Sequence, residues 1–228
     1  MITLRAISSM ATRQLYTELA DAVRQQLGIA LELTAVGGVD AARRVQAGEP
    51  FDAVFLAADA IDKLIDAGHV QPGSRVDVAR SAVAVAVRQG APRPLMACGD
   101  DLKQAVLAAP SMGYSTGPSG SALAQRFEAW GIMDAIRSRI AVPPPGVPVA
   151  QWVADGTVAL GFQQLSEMLH VPGIDVVGTL PPDIEIVTVF AGAVPTASAH
   201  PDAARALLGF LASQATAHTK IAQGMQPA

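Results

Sequence analysis

The chain has 228 residues and a net charge of −4, and half of its residues are hydrophobic while only 4% are aromatic. This length accommodates one large or two small domains, and an aliphatic composition of this kind is typical of α/β proteins with closely packed helices. Because no run of Lys and Arg is present to neutralise phosphates, we expect no nucleic-acid partner, and because no apolar run approaches ~18 residues, we expect no membrane insertion.

The first 68 residues contain three strand–helix repeats, each with a short apolar strand followed by a turn and a helix that ends at a glycine. This alternation predicts a parallel sheet with right-handed crossovers. Ligands of such sheets bind outside the carboxyl ends of the strands. The predicted strands span 2–7, 29–34 and 51–56, and the predicted helices span 11–27, 41–47 and a segment that ends at 67.

The rest of the chain repeats this design, which predicts an α/β fold of two Rossmann-like lobes joined by a two-stranded hinge. Lobe 1 is predicted over 1–81 and 191–228 and lobe 2 over 82–190, with a ligand cleft between the lobes. The predicted strands span 82–87, 140–142, 158–162, 176–178 and 184–190, and a further short strand ends at 114. The main predicted helices span 100–108, 146–155, 201–212 and 216–223, and a further helix follows the loop over 113–121 and stops near 131.

One loop is rich in hydrogen-bond donors at the point where a strand leads into a helix. It runs Gly113-Tyr114-Ser115-Thr116-Gly117-Pro118-Ser119-Gly120-Ser121. The N–H and O–H groups of such a loop, together with the positive end of the helix dipole, favour an anion. No Lys follows the glycines, so the loop is not a nucleotide-binding P-loop. The candidate ligand-binding residues are Ser115, Thr116, Ser119, Gly120 and Ser121, and the alternative is a Ser-rich cap on a surface helix.

Four further segments are candidates because they follow predicted strands or begin helices. A ligand role competes at each with a plain one, namely a helix cap, a tight turn or ordinary backbone geometry. The amide side chains are the exception, since directly after a buried strand we expect at least one of them to face the cleft. The candidate ligand-binding residues of these segments are Ser8, Ser9, Gly37, Gly38, Val147, Gln163 and Gln164.

Several stretches together resemble a known family. They are Ala6-Ile7-Ser8-Ser9, Ala47-Gly48-Glu49-Pro50-Phe51-Asp52-Ala53-Val54, the loop from Gly113 to Gly120, and Leu160-Gly161-Phe162. The chain is similar, over essentially its full length, to the molybdate-binding-protein-like group of periplasmic solute-binding proteins. This resemblance implies the type II periplasmic-binding-protein fold, with a small anion clamped between the lobes by backbone N–H groups and hydroxyls and by few charged side chains.

The sequence departs from the molybdate pattern in two places. Val36-Gly37-Gly38-Val39 stands where a Ser-rich loop is expected, and Gln163-Gln164 stands where the family runs on to a Tyr. The segment from Gly161 to Glu167, followed by Val171-Pro172-Gly173, looks closer to a branch that includes aconitate isomerase. Because glutamine amides both donate to and accept from carboxyl groups, these departures favour a di- or tricarboxylate over a tetrahedral oxyanion.

Two functions of different classes follow. In the first, which we favour at this point, the protein is a solute-binding protein that closes on a small anion, as in ABC-transporter substrate-binding proteins. In the second it is a cofactor-free isomerase of the aconitate isomerase type, which moves a C=C bond by allylic proton transfer. That reaction needs a general base and donors that stabilise an enolate-like intermediate. The candidate bases are Asp40, Asp59, Tyr114 and the loop serines.

We expect no cofactor and no metal, since Cys98 is the only cysteine and the four histidines lack metal-ligand spacing. Cys98 itself is expected to be a small buried residue. The resemblance implies a monomer with a small anionic ligand and allows ABC-transporter membrane subunits as partners. Residues 1–7 lack the features of a secretory signal, so we expect a cytoplasmic protein, or a periplasmic one whose signal has been removed.

Overall fold

Strands and helices alternate along most of the chain, as the sequence pattern predicts. The computed structural model describes residues 1–144 and 146–228. The strands are β1 (Ile2–Ser9), β2 (Ile29–Val36), β3 (Ala53–Ala57), β4 (Val76–Arg88), β5 (Met112–Tyr114), β6 (Ile140–Ala141), β7 (Leu160–Gln164), β8 (Ile174–Thr179), β9 (Val187–Ala193) and β10 (Gln226–Pro227). The α-helices are α1 (Met10–Leu27), α2 (Gly38–Gln46), α3 (Ala58–Asp66), α4 (Gly99–Ala108), α5 (Pro118–Ala129), α6 (Met133–Ile136), α7 (Val149–Ala154), α8 (Leu165–Met168), α9 (Pro201–Ala212) and α10 (Ala217–Ala222).

The chain divides into two compact units. Unit 1 comprises Met1–Ser81 and Thr188–Ala228, and unit 2 comprises Ala82–Val187. The chain therefore passes from unit 1 into unit 2 within β4 and returns to unit 1 within β9.

In unit 1 the strand order is β2-β1-β3-β9, and the first part of β4 pairs with β10. Strands β2, β1 and β3 are parallel, as the three strand–helix repeats predict, whereas β9 runs antiparallel to β3. The register places Ser9 opposite Val36 and Ser8 opposite Phe55. The carboxyl ends of the three parallel strands, and the turns that follow them, therefore meet at one edge of the sheet.

In unit 2 the second part of β4 lies between β7 and β8, to both of which it is antiparallel. Beyond β7 come β5 and β6, and these three strands are parallel to one another. The register places Gly113 opposite Gly161 and Tyr114 opposite Phe162. The segments that follow β5 and β7 therefore leave the sheet side by side.

Each unit buries apolar residues on both faces of its sheet, because successive strand residues point to opposite faces. In unit 1, Ala53 and Phe55 belong to one buried cluster while Val54 and Leu56 belong to another. In unit 2, the even and odd residues of β4 over 83–87 divide between two clusters in the same way. This arrangement explains why the stretch over 82–87 is apolar throughout.

Some element boundaries differ from the prediction for local reasons. The last two residues of β7 are Gln163 and Gln164, which were predicted to follow the strand, because both pair in register with β4. Ile184 ends a short 3-10 helix rather than starting a strand, after two prolines at 181–182. Helix α7 begins at Val149 because Pro148 takes the N-cap position.

The carboxylate of Asp52 stabilises unit 1. Asp52 lies in the stretch over 47–54, which is the most specific of those that carry the family resemblance. It is 5% exposed. Its Oδ2 accepts a hydrogen bond from the Arg5 N–H at 3.0 Å, and its Oδ1 accepts from Ser198 Oγ and from the N–H groups of Ala199 and His200 at 3.0–3.2 Å. Asp52 thus fastens the start of α9 to β1.

Glu49 and Phe51 of the same stretch are also structural. Both carboxylate oxygens of Glu49 accept hydrogen bonds from the Arg44 guanidinium at 2.7–3.0 Å. The same guanidinium lies 5.2 Å from the centroid of the buried Phe51 ring. The segment that turns from α2 into β3 is therefore stabilised by the Arg44–Glu49 ion pair and by the contact of the Arg44 guanidinium with the Phe51 ring.

We expect Asp52→Ala to lower the free energy of unfolding by about 3 kcal/mol, because it removes a carboxylate that accepts four partly buried hydrogen bonds. For a chain of this size this corresponds to a fall in Tm of roughly 6–12 °C. Differential scanning calorimetry measures the change. Asp66→Ala, at an exposed carboxylate at the end of α3, is the matched control and should leave Tm nearly unchanged. An Asp52→Ala protein as stable as the wild type would refute the structural role.

Candidate functional site

The turn from β1 into α1 contains a buried hydroxyl that bonds to none of the described residues. Ser9 is 8% exposed and occupies the N-cap of α1. Among the residues that the structure describes, its Oγ has no hydrogen-bond partner, whereas Ser8 Oγ donates to the Ser9 carbonyl oxygen at 3.1 Å. A buried hydroxyl left without a partner costs about 1–3 kcal/mol. An incoming ligand or water at the amino end of α1 would remove that cost.

The turn from β2 into α2 adjoins Ser9. Gly37 is the N-cap of α2 and Gly38 its first residue. A Cβ atom at position 38 would lie 3.8 Å from Ser9 Cβ and 3.9 Å from Leu56 Cδ2, which is ordinary van der Waals contact. The structure therefore brings the Ser8–Ser9 and Gly37–Gly38 turns together, and neither packing nor a left-handed backbone dictates glycine at position 38.

The loop between β5 and α5 folds back on the first turn of its helix. Ser119 is 6% exposed, and its Oγ lies 3.3 Å from Ser115 Oγ. A Cβ atom at position 120 would lie 1.7 Å from the Ser115 carbonyl oxygen, so only glycine fits there. The N-cap is Gly117, and within the described residues no side chain caps this helix. The buried serines therefore do not serve as its cap.

Two of the candidate residues in this loop lie on its outer side. Thr116 and Ser121 are exposed, whereas Ser115 is half-buried and Ser119 and Gly120 are buried. The structure therefore brings Ser115, Ser119 and Gly120 together at the end of β5.

Gln163 and Gln164 end β7, next to the end of β5, and each is 3% exposed. The Gln163 amide is bonded at both ends inside unit 2: its Oε1 accepts from the Ala150 N–H at 3.1 Å, and its Nε2 donates to Glu167 Oε1 at 2.8 Å. The prediction that an amide faces a ligand is therefore not supported by the hydrogen bonds of Gln163. Gln163 connects the first turns of α7 and α8 instead.

Glu167, which the sequence analysis did not select, is the titratable group of this region. It is half-buried in α8, and burial raises the pKa of its carboxyl to about 7, against the opposite effect of the hydrogen bond from Gln163. Within the described part of the chain it forms no ion pair. The sequence signal that could have identified Glu167 is its position four residues after Gln163, just past a buried strand.

The bases selected from the sequence are less suitable. Asp40 pairs with Arg43 and Asp59 with Lys63, each on the surface of one helix in unit 1, and both carboxylates are more than a third exposed. Burial raises the pKa of the Tyr114 hydroxyl above its ordinary value, so this hydroxyl keeps its proton at neutral pH. Tyr114 is therefore a hydrogen-bond donor at the end of β5 rather than a base.

Val147 lies in the segment just before α7. It is exposed, and its N–H donates to the Pro144 carbonyl oxygen at 3.0 Å in the turn before α7. Its N–H is thus occupied within the chain, and α7 begins at Val149, three residues after the predicted helix start at 146.

The described residues form neither a metal-binding cluster nor a membrane-spanning helix. Over 1–144 and 146–228, no group of three or more His, Cys, Asp or Glu side chains is placed to hold a metal ion. No helix in these ranges combines the length and apolarity needed to cross a bilayer.

The expectation that Cys98 is buried is wrong, because this residue lies exposed in the irregular segment before α4.

Donor-rich turns at the carboxyl ends of parallel strands, in two α/β units, are the features of a periplasmic-binding-protein fold. The periplasmic molybdate-binding protein of Azotobacter vinelandii superposes with a TM-score of 0.81 at 19% identity, over 97% of this chain and 98% of that protein. A sulfate-binding protein of Mycobacterium tuberculosis superposes with a TM-score of 0.83 at 18% identity, over 100% of this chain and 88% of that protein. At such identities the comparison establishes the fold.

The chain belongs to the family of bacterial extracellular solute-binding proteins, whose family model matches residues 4–226. The resemblance drawn from the sequence motifs is thereby confirmed. Aconitate isomerase from a Pseudomonas species is 39% identical to the chain over 230 residues, which cover 99% of this chain and 88% of the isomerase. The branch suggested by the segment from Gly161 to Glu167 is therefore also supported.

We expect Gly120→Ala to disturb the loop between β5 and α5, because the added methyl group overlaps the Ser115 carbonyl oxygen. Overpacking of this kind costs about 1–3 kcal/mol and lowers Tm by roughly 2–12 °C. Gly117→Ala is the matched control: the nearest atom to its new Cβ is Ser115 Oγ at 4.0 Å, and its φ of −79° suits alanine. Thermal unfolding of both variants tests the packing, and equal Tm values would contradict it.

Proposed function

We propose that the protein binds a di- or tricarboxylate and moves its C=C bond by allylic proton transfer, as an isomerase of the aconitate isomerase type. The near-full-length similarity to aconitate isomerase, at 39% identity, carries this proposal. The structural neighbours that bind molybdate and sulfate are 18–19% identical and support the fold alone. Because of this similarity, we favour an enzyme over the binding protein that the sequence motifs alone favoured.

The donors of the two units suit an anionic ligand. Unit 1 offers the unpartnered Ser9 hydroxyl at the amino end of the 18-residue helix α1. Unit 2 offers the Ser115 and Ser119 hydroxyls at the amino end of the 12-residue helix α5. Helix amino ends carry partial positive charge and free N–H groups, so they stabilise a carboxylate without a cationic side chain. Similar donors stabilise the negative charge that develops when a proton leaves carbon.

The second candidate is a receptor that binds the same class of anion without converting it. The family match favours this function, because solute-binding proteins pass their ligands to ABC transporters. Under this hypothesis the membrane subunits of a transporter are the partners, and the donors of both units serve affinity alone.

Incubation with trans-aconitate and with cis-aconitate separates the two functions. We expect proton NMR to show conversion from either isomer toward the same equilibrium mixture, at a rate proportional to protein concentration. Heat-denatured protein is the control. Saturable binding without conversion would establish the receptor instead. If the assay showed neither binding nor conversion, a carboxylate would be excluded as the ligand class.

We expect Ser9→Ala and Ser119→Ala each to weaken cis-aconitate binding about tenfold, which corresponds to the loss of one hydrogen bond to a charged group. Isothermal titration calorimetry measures the dissociation constants. Ser138→Ala removes an exposed hydroxyl of unit 2 and is the matched control. A dissociation constant that is unchanged in either variant would contradict the assignment of that serine to the ligand.

A further inference from the structure

The proposed isomerisation requires a group that takes a proton from one carbon and returns it to another. The C–H bond of the methylene group breaks, and its electron pair spreads over the neighbouring C=C bond and carboxylate. The proton then adds to the far carbon of the original C=C bond. The double bond has thereby moved by one position, to the carbon that lost the proton. The base is neutralised in the first half and recovers its charge in the second, so that no oxidant, reductant or further reactant takes part.

We propose that Glu167 is the catalytic residue that carries this proton, an inference that rests on the proposed function. The register of unit 2 supports its position. Tyr114 and Phe162 are opposite each other in the parallel pair of β5 and β7, so the segments that continue from them leave the same sheet edge together. One segment carries the Ser115 and Ser119 hydroxyls, and the other carries Gln163 and then Glu167.

The carboxyl group is held in place by a buried amide. Gln163 Nε2 donates to Glu167 Oε1 at 2.8 Å, and Gln163 is itself fixed because its Oε1 accepts from the Ala150 N–H at 3.1 Å. Among the described residues, these two hydrogen bonds orient Glu167 through its Oε1 and leave its Oε2 outside them. Gln163 is thus a positioning residue, and Oε2 is the atom that would exchange the proton with the substrate.

The surroundings of Glu167 suit a group that acts in both directions. Its pKa of about 7 comes from burial, opposed by the hydrogen bond from Gln163, and no charged side chain of the described residues is among its causes. At neutral pH the carboxylate and the carboxylic acid are therefore both populated. A group whose pKa lies near the working pH is efficient as base and as acid.

The test compares Glu167→Gln with the wild-type protein in the aconitate assay. Glutamine keeps the shape and can still accept from Gln163 through its amide oxygen, but it cannot take up a proton. We expect kcat to fall by about 10²–10⁴-fold, with little change in KM. Glu185→Gln, at an exposed glutamate of the same unit, is the matched control and should retain full activity.

Gln163→Met tests the positioning role through the pH profile of kcat. A variant that had only lost folded protein would be less active, but the midpoint of its profile would not shift. Removing the hydrogen bond that lowers the pKa of Glu167 raises that pKa further, so the carboxylate form appears at higher pH. We therefore expect the acidic limb of the kcat profile, which reports the base form, to shift to higher pH. An unshifted midpoint would contradict the role of Gln163.

The outcomes distinguish this inference from the proposed function. A wild-type protein that converts neither isomer would overturn both. A wild-type protein that converts aconitate alongside an equally active Glu167→Gln variant would overturn only the assignment of Glu167. A Glu167→Gln variant that also fails to bind cis-aconitate, or that has lost its circular dichroism spectrum, would assign Glu167 to binding or folding and equally overturn its role in proton transfer.

Discussion

The parallel pairing of three strands in each unit is the constraint on which the rest of the structure depends. In unit 1 it sets Ser9 beside Val36, and in unit 2 it sets Tyr114 beside Phe162. Turns that are far apart in sequence then meet at one edge of each sheet, where helices begin. Shifting either register by one residue would turn alternate side chains to the opposite face and separate the serines from the neighbouring turns.

A second constraint is that the donor edge of unit 2 relies on neutral groups. The Ser115 and Ser119 hydroxyls lie at this edge, the Gln163 amide is bonded to the Ala150 N–H and to Glu167, and Glu167 has no ion-pair partner among the described residues. A lysine or arginine at this edge would bind an anion more strongly, but it would also lower the pKa of Glu167 and remove its basicity at neutral pH. Neutral donors at helix ends therefore allow anion binding and a raised carboxyl pKa to coexist.

The sequence predicted what depends on local pattern, namely the three strand–helix repeats, the donor-rich loop and the family. It did not predict features that depend on contacts between distant segments. Asp52 belongs to the stretch that best marks the family, yet its partners lie 47 and about 147 residues away, and only the fold shows that its role is structural. The sequence predicted that at least one of Gln163 and Gln164 faces the ligand, but it did not show the hydrogen bonds that occupy the Gln163 amide inside unit 2. Glu167 was missed because its desolvation depends on tertiary packing.

The position of Glu167 also bears on the choice between enzyme and receptor. A receptor for anions gains nothing from a desolvated carboxyl group at its ligand site, because desolvation is costly for the carboxylate and the ligand repels it. An enzyme gains from both effects, since each raises the basicity of the group that must remove a proton from carbon. The hydrogen bond from Gln163 limits this rise and keeps the base form populated near neutral pH. The same solute-binding scaffold thus needs only one desolvated, well-oriented carboxyl group to turn an anion site into one that supports proton transfer.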